Sequence, residues 1–179
     1  MTMWTRLTRL TGDAKGQSLL EAALVLPLLI TIVLGVFEFA RVIQANNILA
    51  NITREGANMA SRTSSTDQQI MDAVASTTTP LNMNTYGQMY ITQVTWNSSG
   101  TAIVTGQTRW THSGTYNPAS KVGPTVPSGG NPSPAAVGLP VDTNLSGQSG
   151  NVVEAYYNYP VIFGNALKIS PKLYSVSVF

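Results

Sequence analysis

An α+β fold is predicted, in which one long N-terminal helix spans a membrane and continues as a stalk that packs on a small antiparallel four-stranded sheet. Three features of the chain predict it. Residues Leu19 to Phe37 form an apolar run whose only charge is Glu21. Beyond it Val42, Ala45, Leu49, Ile52, Gly56 and Met59 recur at alternating steps of three and four, the spacing of one helix face. From residue 88 onward, four segments rich in β-branched and aromatic residues are separated by turn-forming residues.

The apolar run is close to the ~20 residues that a spanning helix needs. Arg6, Arg9 and Lys15 precede it against the single acid Asp13, so the positive-inside rule puts the short N-terminus in the cytoplasm and everything after Phe39 outside. A secretory signal would have a shorter apolar core followed by small residues, whereas Val36, Phe37, Glu38 and Phe39 are bulky. Glu21 sits one turn inside the run, where a carboxylate costs a few kcal/mol on insertion scales and calls for a partner or a purpose. Two readings of it stand: a charge that awaits a cationic partner, or an acid in a first helical turn, favoured by the macrodipole and held at headgroup level.

Pro27 falls within the apolar half and removes one backbone hydrogen bond. It is either a functional kink or one of the prolines that membrane helices tolerate. Glu38 and Arg41, three apart at the outer boundary, form a local pair whose use is to set the depth of the helix. The stalk then exposes Gln44, Asn47, Asn51, Arg54, Asn58 and Arg62 opposite its apolar stripe. A helix from Leu19 to Ser61 would be on the order of 65 Å long.

Thr66 reads as the N-cap of a short second helix with Ile70, Met71, Val74 and Ala75 as its apolar face, ended by Thr77 to Pro80. Gln88 to Trp96 and Thr101 to Trp110 make a hairpin around Asn97-Ser98-Ser99-Gly100. Residues 111–150 are rich in Gly, Pro, Ser, Asn and Thr, with Pro118, Pro124, Pro127, Pro132 and Pro134 close together, and are expected to be an extended or partly disordered surface loop. This loop either meets a partner or has no specific role. Strands resume over Asn151 to Tyr159 and Lys172 to Phe179, with Pro160 and Pro171 bounding the turn region between them. Alternation places Val153, Ala155, Tyr157 and Tyr159 on one face and Val152, Glu154 and Tyr156 on the other, so core packing accounts for part of the tyrosine cluster. The domain boundaries that follow are 1–16 as a cytoplasmic leader, 17–40 as the transmembrane helix, 41–62 as the stalk and 63–179 as an extracytoplasmic α+β domain.

Composition narrows the function. The chain has no cysteine, which excludes disulfides and thiolate-metal chemistry. Only 10% of its residues are charged, well below the usual quarter. Setting aside Arg6, Arg9, Lys15 and Asp13 leaves seven basic and seven acidic residues from the ten and eight of the whole chain. A nucleic-acid partner that needs phosphate neutralisation is therefore not supported. His112 is the single histidine, and the acids Asp67, Asp72, Asp142 and Glu154 are isolated in sequence, so a catalytic or metal site would require distant convergence, for example of Asp142, His112 and a serine. No enzyme activity and no cofactor are expected.

Gly16, followed by the neutral Gln17, an apolar run and Glu21 five positions on, resembles the processing site of type IV prepilins. The fuller set of Gln17 to Pro27, then Phe37-Glu38-Phe39-Ala40-Arg41, then Arg54-Glu55-Gly56-Ala57, resembles the TadE-like family of pseudopilins from tight-adherence (Tad) pilus systems. These motifs cover about residues 16 to 62. The resemblance implies cleavage after Gly16 by a prepilin peptidase, leaving Gln17 as the new N-terminus. Its ammonium would stand one turn from Glu21, where opposite charges offset each other's desolvation. It also implies assembly through the hydrophobic helix, with Glu21, Pro27, Glu38 and Arg41 as the helix-pairing residues. The implied partners are the peptidase, other pilin or pseudopilin subunits, the Tad assembly machinery and inner-membrane lipid. Major Tad pilins are little more than the hydrophobic helix, so a chain of this size fits a minor subunit better. The competing reading is a single-pass, uncleaved membrane anchor that presents an extracytoplasmic binding or adhesion module.

Overall fold

The computed structural model describes residues 14–123, 136, 138–162 and 170–179, with the backbone alone of residues 14–16. The expected leader lies mostly outside the described residues, as do the tip of the long loop, 124–135, and the turn region 163–169. The chain divides into two compact units, Met1–Arg41 and Val42–Phe179. Helix α1 (Ala14–Arg62) is unbroken by secondary structure across the boundary.

In the first unit, every residue from Gln17 to Phe37 is exposed, including Leu24, Leu28, Ile32 and Val36. Among the described residues this is the single helix long and apolar enough to cross a membrane. A helix apolar on all sides and covered on none is stable where its surroundings are themselves apolar. Pro27 lies inside the helix without ending it. It leaves the Ala23 carbonyl without its intrahelical donor, and one turn later the Thr31 hydroxyl donates to the Pro27 carbonyl at 2.8 Å.

In the second unit the sheet has strand order β2-β1-β3-β4, with every neighbouring pair antiparallel. The strands are β1 (Gly87–Trp96), β2 (Ala102–Arg109), β3 (Ser149–Asn158) and β4 (Lys172–Val178). This is the α+β class expected. The β1–β2 turn is closed by Asn97, whose Oδ1 accepts from the amides of Ser99 and Thr101 at 3.0 and 2.9 Å. Gly100 adopts φ +75° there, and a Cβ on it would meet the Asp142 carbonyl carbon at 2.6 Å. Both the backbone conformation and the close approach demand glycine.

One face of the sheet packs on residues 45–59 of α1. Ala45, Leu49, Ile52 and Ala57 are buried with Met89, Ile91, Val153, Ala155, Tyr157 and Tyr159, and Val42 and Met59 pack at the margin. Helix α2 (Asp67–Ser76) adds Ile70, Met71 and Val74 to this core. Its start is a capping box, in which Thr66 Oγ1 accepts from Gln69 N and Gln69 Oε1 from Thr66 N. A four-residue helix α3 (Met83–Tyr86), which the sequence reading lacked, leads into β1.

The opposite face is also covered. Val94, Trp96, Ala102, Val104 and Val152 form a second cluster, closed by Val122 and Ala136 of the long loop. As far as Gln148 the described part of that loop contains no strand, only a 3-10 turn at Thr143–Leu145, and β3 takes its last two residues, Ser149 and Gly150. It is nevertheless folded against the sheet, because isolated apolar residues in a polar stretch give it anchors.

Candidate functional site

The residues singled out by sequence lie along α1. The Gly16–Gln17 peptide bond is in its first turn. Gln17 Nε2 lies 3.5 Å from Glu21 Oε1, the outer limit of a hydrogen bond, and both side chains are exposed. At the far end of the apolar stretch, Arg41 Nη1 lies 3.5 Å from Glu38 Oε2, and the Arg41 guanidinium sits 6.0 Å from the centre of the Phe37 ring. Glu38 Oε1 is buried and has no hydrogen-bond partner among the described residues. Polar pairs thus stand at the two ends of an uncovered apolar helix, with Pro27 between them.

Arg54-Glu55-Gly56-Ala57 divides its work between two sides of α1. Gly56 and Ala57 are buried against the sheet, and a Cβ on Gly56 would meet Val153 Cγ1 at 3.3 Å. The small side chains let helix and strand approach closely. Arg54 and Glu55 are exposed, and among the described residues neither has an ion-pair partner. Thr53, fully buried, shares its hydroxyl with Ser175 Oγ at 3.0 Å and Ser177 Oγ at 3.2 Å, which ties α1 to β4.

Glu154 is a constellation that the sequence reading missed. It is fully buried on the sheet face away from α1. Its carboxylate accepts from the Lys121 amide at 2.9 Å, from Tyr156 Oη at 2.7 Å, from Tyr174 Oη at 3.0 Å, and from Ser120 Oγ in a very short bond. The Lys121 ammonium lies 4.1 Å from the centre of the Tyr174 ring. Burial first, then the neighbouring carboxylate, pushes the Tyr156 and Tyr174 hydroxyls well above their ordinary range, which keeps both as donors. Nearby, Tyr90 Oη donates to the Pro118 carbonyl at 2.7 Å, and Gln107 Nε2 to Ser120 Oγ at 3.0 Å. The cluster clamps residues 118–121 of the long loop to β1 and β3. An acid at an inward position of an otherwise apolar and aromatic strand was the available signal, since such a group is buried only with donors around it.

The other isolated acids also hold secondary structure together. Asp67 Oδ2 accepts from Thr108 Oγ1 at 2.6 Å and Asp72 Oδ1 from Trp110 Nε1 at 2.7 Å, docking α2 on β2 and its exit. Asp142 Oδ1 caps the 3-10 turn through the Asn144 amide at 2.9 Å. His112 stacks on Trp110 at 4.3 Å between ring centres, with Nδ1 3.0 Å from both the Asn84 carbonyl and the Gly114 amide nitrogen. Asp142 and His112 thus have different neighbours, and among the described residues no hydrogen bond joins the two.

The model of the TadE-like protein family matches residues 16–58. The match begins at Gly16, covers the whole exposed apolar helix and ends just beyond Arg54-Glu55-Gly56-Ala57. Over that stretch the chain is similar to TadE-like proteins; residues 59–179 lie beyond the match. Neither the curated proteins nor the solved structures contain a match to the chain.

Proposed function

We propose, from the TadE-like stretch at 16–58, that this chain is a structural or assembly subunit of a bacterial Tad-type pilus, a minor pilin or pseudopilin rather than an enzyme. The supporting observation is that the match starts at the glycine that precedes an exposed apolar helix with a carboxylate one turn in. In this reading residues 17–40 hold the chain in the inner membrane, its N-terminus is cytoplasmic, and the sheet domain is outside. A prepilin peptidase cuts after Gly16. The new ammonium of Gln17 then takes over the position of the Gln17 amide as the partner of Glu21, with a full charge in place of a dipole. Assembly proceeds by helix packing with other pilin-like subunits. The uncovered surface of residues 17–37 is what such packing buries.

Gly16→Val tests the processing step: a branched side chain at the cut site leaves the chain at full length in its native host. Continued shortening of that variant would reject the site. Glu21→Ala tests the pairing. It is expected to keep or improve membrane insertion while impairing co-assembly with partner subunits, and unchanged assembly would reject the charge account.

A further inference from the structure

The free edge of β4 and the exposed side of α1 beside it form a groove. Phe179 and Asn151 exchange both backbone hydrogen bonds, at 2.7 and 3.0 Å. Because such pairs alternate along an antiparallel ladder, residues 173, 175 and 177 face β3, and the N–H and C=O groups of Lys172, Tyr174, Val176 and Val178 point away from the sheet. Among the described residues nothing hydrogen-bonds to these outward groups. The register of β4 has no bulge, and its exposed side chains toward the C-terminal end are Val176, Val178 and Phe179. Soluble proteins ordinarily guard such an edge with charge, proline or a bulge.

The groove itself has a volume of about 650 Å³ and is lined by Asn51, Arg54, Glu55 and Asn58 of α1 with Val178 and Phe179. Its helical wall carries one cation and one anion, adjacent and without ion-pair partners among the described residues. That balance does not select a polyanion or an anionic lipid surface. It is complementary to a peptide that presents an acid and a base, and only a polypeptide backbone matches alternating donors and acceptors along a strand edge.

We infer that β4 and the Arg54–Glu55 side of α1 are the docking site for an extended segment of a partner protein, which adds a fifth strand to the sheet. The segment lays apolar side chains on Val176 and Val178 and places an acid and a base against Arg54 and Glu55. A second copy of this chain is the competing occupant, and the identity of the crosslinked partner distinguishes the two. The inference rests on the reading of the chain as an assembly subunit in a membrane.

The test uses the full chain in native membranes. Hydrogen exchange of the Tyr174, Val176 and Val178 amides is expected to be at least tenfold slower there than in the detergent-purified chain, with Leu173, Ser175 and Ser177 alike in both. A photo-crosslinking benzoylphenylalanine at Val178 is expected to join one other protein through a contiguous segment. Val176→Pro removes an outward N–H while sparing the ladder to β3, and should lower the adduct at least tenfold. The surface double variant Arg54→Glu with Glu55→Arg should do so too, which keeps the test decisive if the proline variant misfolds. Equal exchange rates, an adduct insensitive to both variants, or an adduct with lipid or a second copy would overturn the docking site. The mass of the same sample reports cleavage at Gly16, so a shortened chain with an unprotected edge rejects this site and leaves the pilus reading standing.

Discussion

Residues 17–37 and 42–62 are parts of one α-helix, yet they obey different rules. In the first stretch Leu24 is 70% exposed, and no residue is buried. In the second Leu49 is 0% exposed, while Gln44, Asn47, Asn51 and Arg54 face outward. The same backbone geometry therefore serves two environments, and side-chain distribution alone tells them apart. All-round apolarity prescribes a surrounding that the chain does not provide for itself, and one-sided apolarity prescribes a sheet that it does.

The sharpest way to break this comparison is to charge the first stretch. Ile30→Arg together with Val33→Arg, at about 3 kcal/mol each on insertion scales, should release the chain from membranes on fractionation. The unfolding transition of the sheet domain within that variant should not change. Leu49→Ala should do the converse, destabilising the domain by about 2 to 5 kcal/mol in thermal or denaturant unfolding and leaving membrane retention intact. Were either variant to produce the other's phenotype, the division of the helix would be wrong.

Effects of a similar or smaller size are expected at the clamp. Glu154→Ala leaves buried donors from Ser120, Lys121, Tyr156 and Tyr174 without an acceptor. The loss should be on the order of 3 kcal/mol, and limited proteolysis should open the chain near residues 118–123. Alkaline pH probes the same cluster. The hydroxyls of Tyr156 and Tyr174 are raised in the fold, so the unfolded chain loses these protons first. Stability is therefore full below pH about 10, the ordinary tyrosine value, and falls as pH rises beyond it. Tyr174→Phe should make that fall shallower in unfolding measured between pH 8 and 11. The smallest effect is expected at Gly56→Ala, where a helix gain of up to about 1 kcal/mol opposes a 3.3 Å contact with Val153. Gly56→Leu should destabilise the domain clearly.

The helix, its stripe and all four strands were legible in the sequence because each depends on a short-range period. The α1 stripe from Val42 to Met59 appears in the core or at its margin, and the strands fall within two residues of their expected limits. Thr66 and Gln69 announced the start of α2 for the same reason. What escaped was long-range. Nothing within a few residues of Glu154 reveals that Ser120 and Lys121 reach it from more than thirty positions away. The long loop read as polar surface, and the burial of Val122 and Ala136 against the far face of the sheet shows that a few apolar residues were enough to fold it back. Asp67, Asp72 and Asp142 looked isolated because their partners Thr108 and Trp110, and the turn at Asn144, are set by the fold or by local capping rather than by acidic clustering. At the candidate assembly residues the sequence marked Glu21, Pro27, Glu38 and Arg41, while the role of Thr53 in fastening β4 came only with the fold.

On the proposed reading, residues 17–37 begin behind a leader and end packed in an assembly. Intact mass and N-terminal sequencing of the protein from its native membrane test this most directly. A chain beginning at Gln17 is the predicted result, and a chain still beginning at Met1 in a host with an active prepilin peptidase would contradict it.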